Sequence, residues 1–292
     1  MGGDLTATPE SLRRLATAHM QAGRDLMHGG RPEAVGRALA LFDRAVAIRR
    51  GLSTRGALDD YDLAGAWLNR AEALLVLGAP GHLDSAVRAT DEAVALLERW
   101  PQVRDARMTL RLATALQNRA VALRRLQREP WRVTNDLFRA IALLDTIADA
   151  DPHVGTRSAA VWVNIADVQA GESDPAAWQR ALQSAECALA RVAGLEGTEH
   201  EAAFIAVQAR RIYCQAAARC LAFGEPDVRA DLVGATSDAA EDALRLIAHW
   251  SGRDHAGRLN GDDLFEFGRL LYGEYQPQFL AEFEAEFSRR SS

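Results

Sequence analysis

The sequence predicts an all-α fold: an α-α superhelix, or helical solenoid, of about six helix–turn–helix units forming a single array over residues 1–292. Three observations predict it. Pro32, Pro80, Pro130, Pro175, Pro226 and Pro277 recur at steps of 48, 50, 45, 51 and 51 residues. Nine or ten residues before each stands a small residue, at Gly23, Ala71, Ala120, Ala166, Ala217 and Gly268. Between the prolines the apolar residues fall at helical steps, and strand-type alternation is scarce. A fixed period of this length marks an array in which each unit buries its apolar face against its neighbours. The working part of an array is an elongated surface.

The units expected are approximately 9–52, 57–100, 102–149, 153–195, 198–251 and 262–290. In each, a glycine or a capping residue ends the first helix and proline starts or closely precedes the second, as in GGRP, GAPG, REPW, SDPA and GEPD. Proline lacks the N–H that a first turn would leave unpaired and its φ is already helical, so it fits that position. The turn is short, so the two helices must approach closely, and a small residue in the first helix permits the contact. In the second unit Leu83, Ala86, Val87, Ala93, Val94, Leu96 and Leu97 make the apolar stripe of the second helix. In the last, Phe279, Phe283 and Phe287 form a stripe opposed by Glu282, Glu284 and Glu286. That helix reads either as a cap sealing the array or as a docking or dimerisation helix over 277–290.

The pattern resembles the tetratricopeptide repeat (TPR) family. Residues 66–78, AWLNRAEALLVLG, are similar to the family's first helix through Trp67, Asn69, Ala71, Leu74 and Gly78, and 83–101 to its second, closing at Pro101. The same register gives LQNRAVAL at 116–123, WVNIADV at 162–168, YCQAAARCLAFG at 213–224 and FGRLLY at 267–272. The family unit is near 34 residues and these are 45 to 51, which implies longer helices of about 20 residues and an altered superhelical pitch. The resemblance implies a right-handed superhelix that binds a peptide or a partner protein in its groove.

Composition excludes much chemistry. All 34 basic residues are Arg, so there is no phosphate-binding, Schiff-base or general-base lysine. An Arg-only complement fits a GC-rich bacterial genome; selection against lysine modification is the alternative. Cys187, Cys214 and Cys220 make no C-x-x-C pair and read as small hydrophobes in a reducing, cytoplasmic setting. The seven His residues show no metal spacing, and no nucleophile motif is present. Asp59-Asp60 and Asp262-Asp263 fall at helix starts, where carboxylates favour the positive end of the helix dipole. No enzyme activity, metal or cofactor is expected. No apolar run reaches membrane length, and MGGDLTATPESLRR lacks a signal core, although Gly2 and Thr6 fit the loose acylation pattern.

The candidate binding residues follow from the register. Two positions before the small residue stand Asn69, Asn118, Asn164 and Gln215. A side-chain amide carries both a donor and an acceptor, matching a peptide bond, so a row of them would hold an extended backbone; the plain alternative is contacts between neighbouring helices. Leu68, Leu75, Val121 and Val163, with Glu72, Gln117, Arg124 and Asp167, flank the row, and Arg124 and Arg125 are assigned to ligand carboxylates. The slots of the family's carboxylate clamp hold Met20, Leu68, Val163 and Cys214, which argues against a clamp. Residues 102–132 carry eight Arg against Asp105 and Glu129, a balance of +6, and 225–288 carry a balance of −9. Either these are solvated faces or the middle of the array attracts an acidic partner segment. A net charge of −6 disfavours nucleic acid. The function expected is a peptide- or protein-binding adaptor; the alternatives are a peptide-sensing regulator of a separate effector and a subunit that assembles through its C-terminal helix.

Overall fold

The computed structural model describes residues 8–27, 32–52, 56–148, 153–223 and 229–250. The described residues hold ten α-helices and no strand: α1 Pro9–Met27, α2 Pro32–Arg50, α3 Ala57–Leu77, α4 Pro80–Glu98, α5 Ala106–Arg125, α6 Pro130–Asp145, α7 Val154–Ala170, α8 Pro175–Val192, α9 His200–Phe223 and α10 Arg229–Trp250. A single 3-10 turn, Pro101–Val103, precedes α5. The helices run from 16 to 24 residues and pair in sequence as hairpins. They group into two compact units, Met1–Asp151 and Pro152–Ser292. The sixth unit, the 277–290 aromatic stripe, Pro226, Asp262-Asp263 and the N-terminal acylation pattern lie outside the described residues.

The turns follow the expected chemistry. Pro32, Pro80, Pro130 and Pro175 each open the second helix of a hairpin. Gly78 ends α3 at φ 68°, with its N–H donating to the Leu74 carbonyl. The α5–α6 turn makes the same left-handed step without glycine. Gln127 has φ 54° and Glu129 φ 47°, and the Gln127 and Arg128 N–H groups donate to the Arg124 and Leu123 carbonyls. That pair of bonds is a Schellman closure with glutamine in the position glycine usually takes. Asp105 caps α5 by accepting from the Met108 N–H at 2.8 Å.

The small residues sit where close packing needs them. Gly23 is buried in α1, and a Cβ there would stand 2.4 Å from Cε1 of Phe42, itself 1% exposed on α2. Ala71, Ala120, Ala166 and Ala217 are all buried. In the second unit Ala166, Ala170, Ala181 and Ala185 pack with Ile212, Tyr213 and Ala216, so three helices meet through methyl groups. In the first unit Ala71, Leu74 and Leu75 of α3 meet Leu83, Ala86 and Ala89 of α4 and Ala122 of α5. Burial of each such leucine contributes about 1.5–3 kcal/mol.

First helices touch one another, α1 with α3 and α3 with α5 in the first unit and α7 with α9 in the second. The second helices pack on first helices and have no comparable contact among themselves. Each unit is therefore two-layered, with one layer built of first helices.

Polar staples fix the layers. Arg119 of α5 is buried; its Nε and Nη2 donate to the two carboxylate oxygens of Asp136 on α6, each at 2.7 Å, and its Nη1 donates to Asp91 on α4 at 2.9 Å. Arg132 donates to the same Asp91 oxygen. One helix-hairpin earlier, Arg70 of α3 reaches Asp43 of α2 at 2.6 Å and the Ser85 carbonyl of α4 at 3.5 Å. An arginine next to the register asparagine thus ties a first helix to the second helices on both sides. Asp60, fully buried in the first turn of α3, accepts from Arg99 Nη1 at 2.8 Å and Trp100 Nε1 at 3.0 Å, so it fastens the end of α4 as well as meeting the helix dipole.

Candidate binding face of the first helices

Two long arginine bonds fix how α5 lies on α3. Arg111 Nη1 donates to the Tyr61 carbonyl at 2.6 Å and Arg125 Nη1 to the Leu75 carbonyl at 2.7 Å, both fifty residues apart. That offset sets Asn118 beside Asn69 to within one residue. In the second unit Arg219 donates to the Ala170 carbonyl, forty-nine residues back, which leaves Gln215 two residues beyond the level of Asn164. The Arg125 and Arg219 bonds also satisfy carbonyls of the last turns of α3 and α7, which have no intrahelical partner.

At about 100° per residue, Leu58, Asp62, Gly65, Asn69, Glu72 and Val76 share one side of α3. Leu58 at 69% and Val76 at 58% exposure leave the two ends of this side open, whereas Gly65 between them is buried under Arg111 and Asn69 is half-buried. At the forty-nine-residue spacing that relates Ala71 to Ala120, the matching residues of α5 are Arg107, Arg111, Thr114, Asn118, Val121 and Arg125.

Asn69 and Asn118 make no hydrogen bond among the described residues. The Nδ2 of Asn69 is enclosed and unpartnered, and Asn118 is half-buried. In the second unit the amides are partly spent: Asn164 Nδ2 donates to the Ala160 carbonyl at 3.0 Å, and the Gln215 Oε1 accepts from Arg211 at 3.5 Å.

The flanking residues divide. Glu72 is exposed and Gln117 half-buried. Leu68 and Leu75, expected to receive apolar ligand side chains, are instead core residues at 7% and 8% exposure. They stand seven apart on the side of α3 that faces its neighbours, so they are not part of the open face. Val121 is partly buried against the Leu74–Leu75 cluster, and Val163 against two clusters of the second unit. Asp167 is half-buried and engaged within the chain. Arg124 is exposed and already has a contact, and Arg125 spends one N–H on the Leu75 carbonyl.

The basic stretch 102–132 is largely absorbed by partners in the fold. Arg107 pairs with Asp105, Arg119 with Asp136 and Asp91, Arg128 with Asp84, and Arg132 with Asp91 and Glu129. Its sequence balance of +6 counted carboxylates within the stretch, whereas Asp84, Asp91 and Asp136 come from outside it.

Sequence reasoning missed Gln21. It lies two residues before Gly23 and extends the amide register onto α1, with Nε2 on Asp25 at 2.8 Å and Oε1 accepting from Arg24 at 2.6 Å. Counting back from Gly23 as from Ala71 would have found it. It also missed the arginine staples, since no signal within one helix tells which carboxylates meet Arg119. Among the described residues no His/Cys/Asp/Glu group could hold a metal ion, and no helix is long and apolar enough to cross a membrane.

No protein-family model matches the chain, and no curated protein matches it. Among solved structures it is similar to a kinesin light chain of Podospora anserina with nearly identical TPR-like repeats, at 14% identity and a TM-score of 0.50, over 84% of this chain and 97% of that one. It is also similar to BtubC (BKLC) of P. vanneervenii, at 15% identity and a TM-score of 0.52, over 82% of this chain and 91% of that one. The fold is a TPR-like α-helical repeat.

Proposed function

We propose that the chain is an adaptor whose first helices hold an extended peptide segment of a partner protein. TPR-like repeats are generally protein-interaction scaffolds, and the residues of this chain support that use. The observation that carries the reading is the pair Asn69 and Asn118, adjacent on α3 and α5, with amide groups that no described residue engages. A peptide bond offers the donor and acceptor that such amides lack. The open side of α3 adds exposed Leu58 and Val76 as apolar contacts at its two ends. Glu72 supplies an acidic flank. Asn164 and Gln215 extend the same use to the second unit, after giving up their local bonds. Gln117, Val121, Val163, Asp167, Arg124 and Arg125 border these amides.

The test is a pull-down from the native host with the intact chain, followed by titration of the captured segment as a synthetic peptide. Asn69→Ala with Asn118→Ala should weaken binding about 10- to 100-fold, since each lost hydrogen bond is worth about 1 kcal/mol. Helicity by circular dichroism should stay unchanged. Equal affinity in the folded double variant would remove the amide reading.

A further inference from the structure

Arg111 differs from the arginines around it. Arg13 pairs with Asp59, Arg70 with Asp43, Arg107 with Asp105, and Arg119 with Asp136 and Asp91. Arg111 meets no carboxylate among the described residues. Its guanidinium lies 3.5 Å from the centre of the Tyr61 ring, and Nη1 donates to the Tyr61 carbonyl at 2.6 Å. It rests on bare backbone: a Cβ on Gly65 would stand 2.8 Å from Nη1 and 3.0 Å from Cζ. The arrangement holds a planar cation on the open side of α3, in the gap that glycine leaves.

The surroundings give that charge no direct ion pair among the described residues. Asp62, on the same side of α3, is engaged by Arg49 at 2.9 Å. Burial pushes the Arg111 guanidinium below its ordinary value; Tyr61 and then Asp62 partly offset this, while the like charges of Arg49 and Arg24 add to it. A half-buried cation with stacking and one carbonyl bond, and no counter-ion, is a ready partner for an incoming anion.

We propose that Arg111 anchors the side-chain carboxylate of a glutamate or aspartate in an extended partner segment running along the seam between α3 and α5. The proposal rests on the peptide-binding reading above and names the chemistry of the segment. A carboxylate suits the free edge of the guanidinium, whose fork it accepts with two parallel bonds. A dianionic phosphate is disfavoured by Glu72 and Asp62 on the same side of α3. Arg111 is not at a clamp slot; it lies six residues before the α5 residue in that register, Gln117. Asn118 is seven residues along α5 from Arg111, a rise of about 10 Å. An extended chain covers that distance in about three residues. The acidic residue therefore stands about three positions from the peptide bond held by Asn118 and Asn69.

The experiment uses the intact chain and three immobilised libraries of acetylated octapeptides, uncharged except at one fixed position that holds Glu, Gln or phosphoserine. Wild type should retain the Glu library about tenfold over the Gln library, the scale of one charge-assisted hydrogen bond. Arg111→Gln should abolish the preference, and Gly65→Ala, which displaces the guanidinium but keeps the charge, should reduce it. In case Arg111→Gln does not fold, the Arg111 Nε–H resonance of wild type should shift on titration with a retained Glu peptide and not with its Gln counterpart. Equal retention of the Glu and Gln libraries would overturn the anchor and leave peptide binding standing. So would a preference that survives in folded Arg111→Gln. Stronger retention of phosphoserine would overturn the carboxylate assignment. Retention of no library would overturn both readings.

Discussion

Gly23 sets how closely α1 and α2 approach. Replacing glycine by alanine inside a helix ordinarily stabilises by roughly 0.5–1 kcal/mol. Here the new methyl meets Phe42 at 2.4 Å, and a ring that is 1% exposed has nowhere to swing. Gly23→Ala should therefore destabilise, by about 1–3 kcal/mol, seen as a lower urea midpoint. Phe42→Leu in that background should recover part of the loss. Arg119 is the polar counterpart. Its removal leaves Asp136, 1% exposed, and Asp91 without their shared cation. Arg119→Ala should cost about 3–5 kcal/mol, as expected when one partner of a buried ion pair is lost. A loss below 1 kcal/mol in denaturant titration would mean that the carboxylates find water instead. The periodicity revealed the small residues because volume repeats with the unit. Arg119 was legible only as a charge, since its partners come from two other helices.

At the scale of the helix, the ends carry the testable physics. Gln127 occupies a left-handed position at φ 54°, which costs a non-glycine residue about 1–2 kcal/mol. Gln127→Gly should raise stability by about 1 kcal/mol and bring the α5–α6 turn closer to that at Gly78. No gain in melting temperature would mean that the glutamine side chain returns what its backbone costs. At the start of α5, the Met108 N–H, together with Arg107, holds the Asp105 carboxyl below its ordinary 3.8 against the opposing effect of burial. Asp59 is held low chiefly by Arg13. A carboxyl lowered in the folded state stabilises fully above its unfolded value. That contribution is lost as pH falls through the lower folded value. Stability should thus drop on acidification below about pH 4, and Asp105→Asn should flatten that limb, as followed by urea unfolding at stepped pH. Prolines and glycines make helix ends readable in sequence. Pro130 marks the α5–α6 turn, but the left-handed Gln127 that closes α5 is not readable, because glutamine carries no left-handed preference of its own.

At the scale of the whole chain, stability in a repeat is a sum of units and their neighbours. Within the first unit α3 packs against α1, α2, α4 and α5, whereas α1 packs against α2 and, lightly, α3. Hydrogen exchange should accordingly be slower in α3 than in α1; the reverse order would break the nearest-neighbour picture. In the second unit Cys214 is buried with Ala240 and Ala243, and burial pushes its thiol up to about 12. Cys187 is exposed. A thiol reagent should label Cys187 at once and Cys214 only as α9 and α10 separate. Rapid labelling of Cys214 in native buffer would contradict its placement in the core.

The all-α class and the hairpin turns were determined by the sequence by itself, because proline, glycine and alanine act through local sterics that recur with each unit. The register of Asn69 and Asn118 was legible for the same reason. Only the tertiary structure decided which side of each helix stays open. It buried Leu68 and Leu75, spent Arg119, Arg128 and Arg132 of the basic stretch on carboxylates from other helices, and left Arg111 on Tyr61 and Gly65 without one. Those outcomes depend on contacts forty to fifty residues apart, and the physics of a single helix does not contain them.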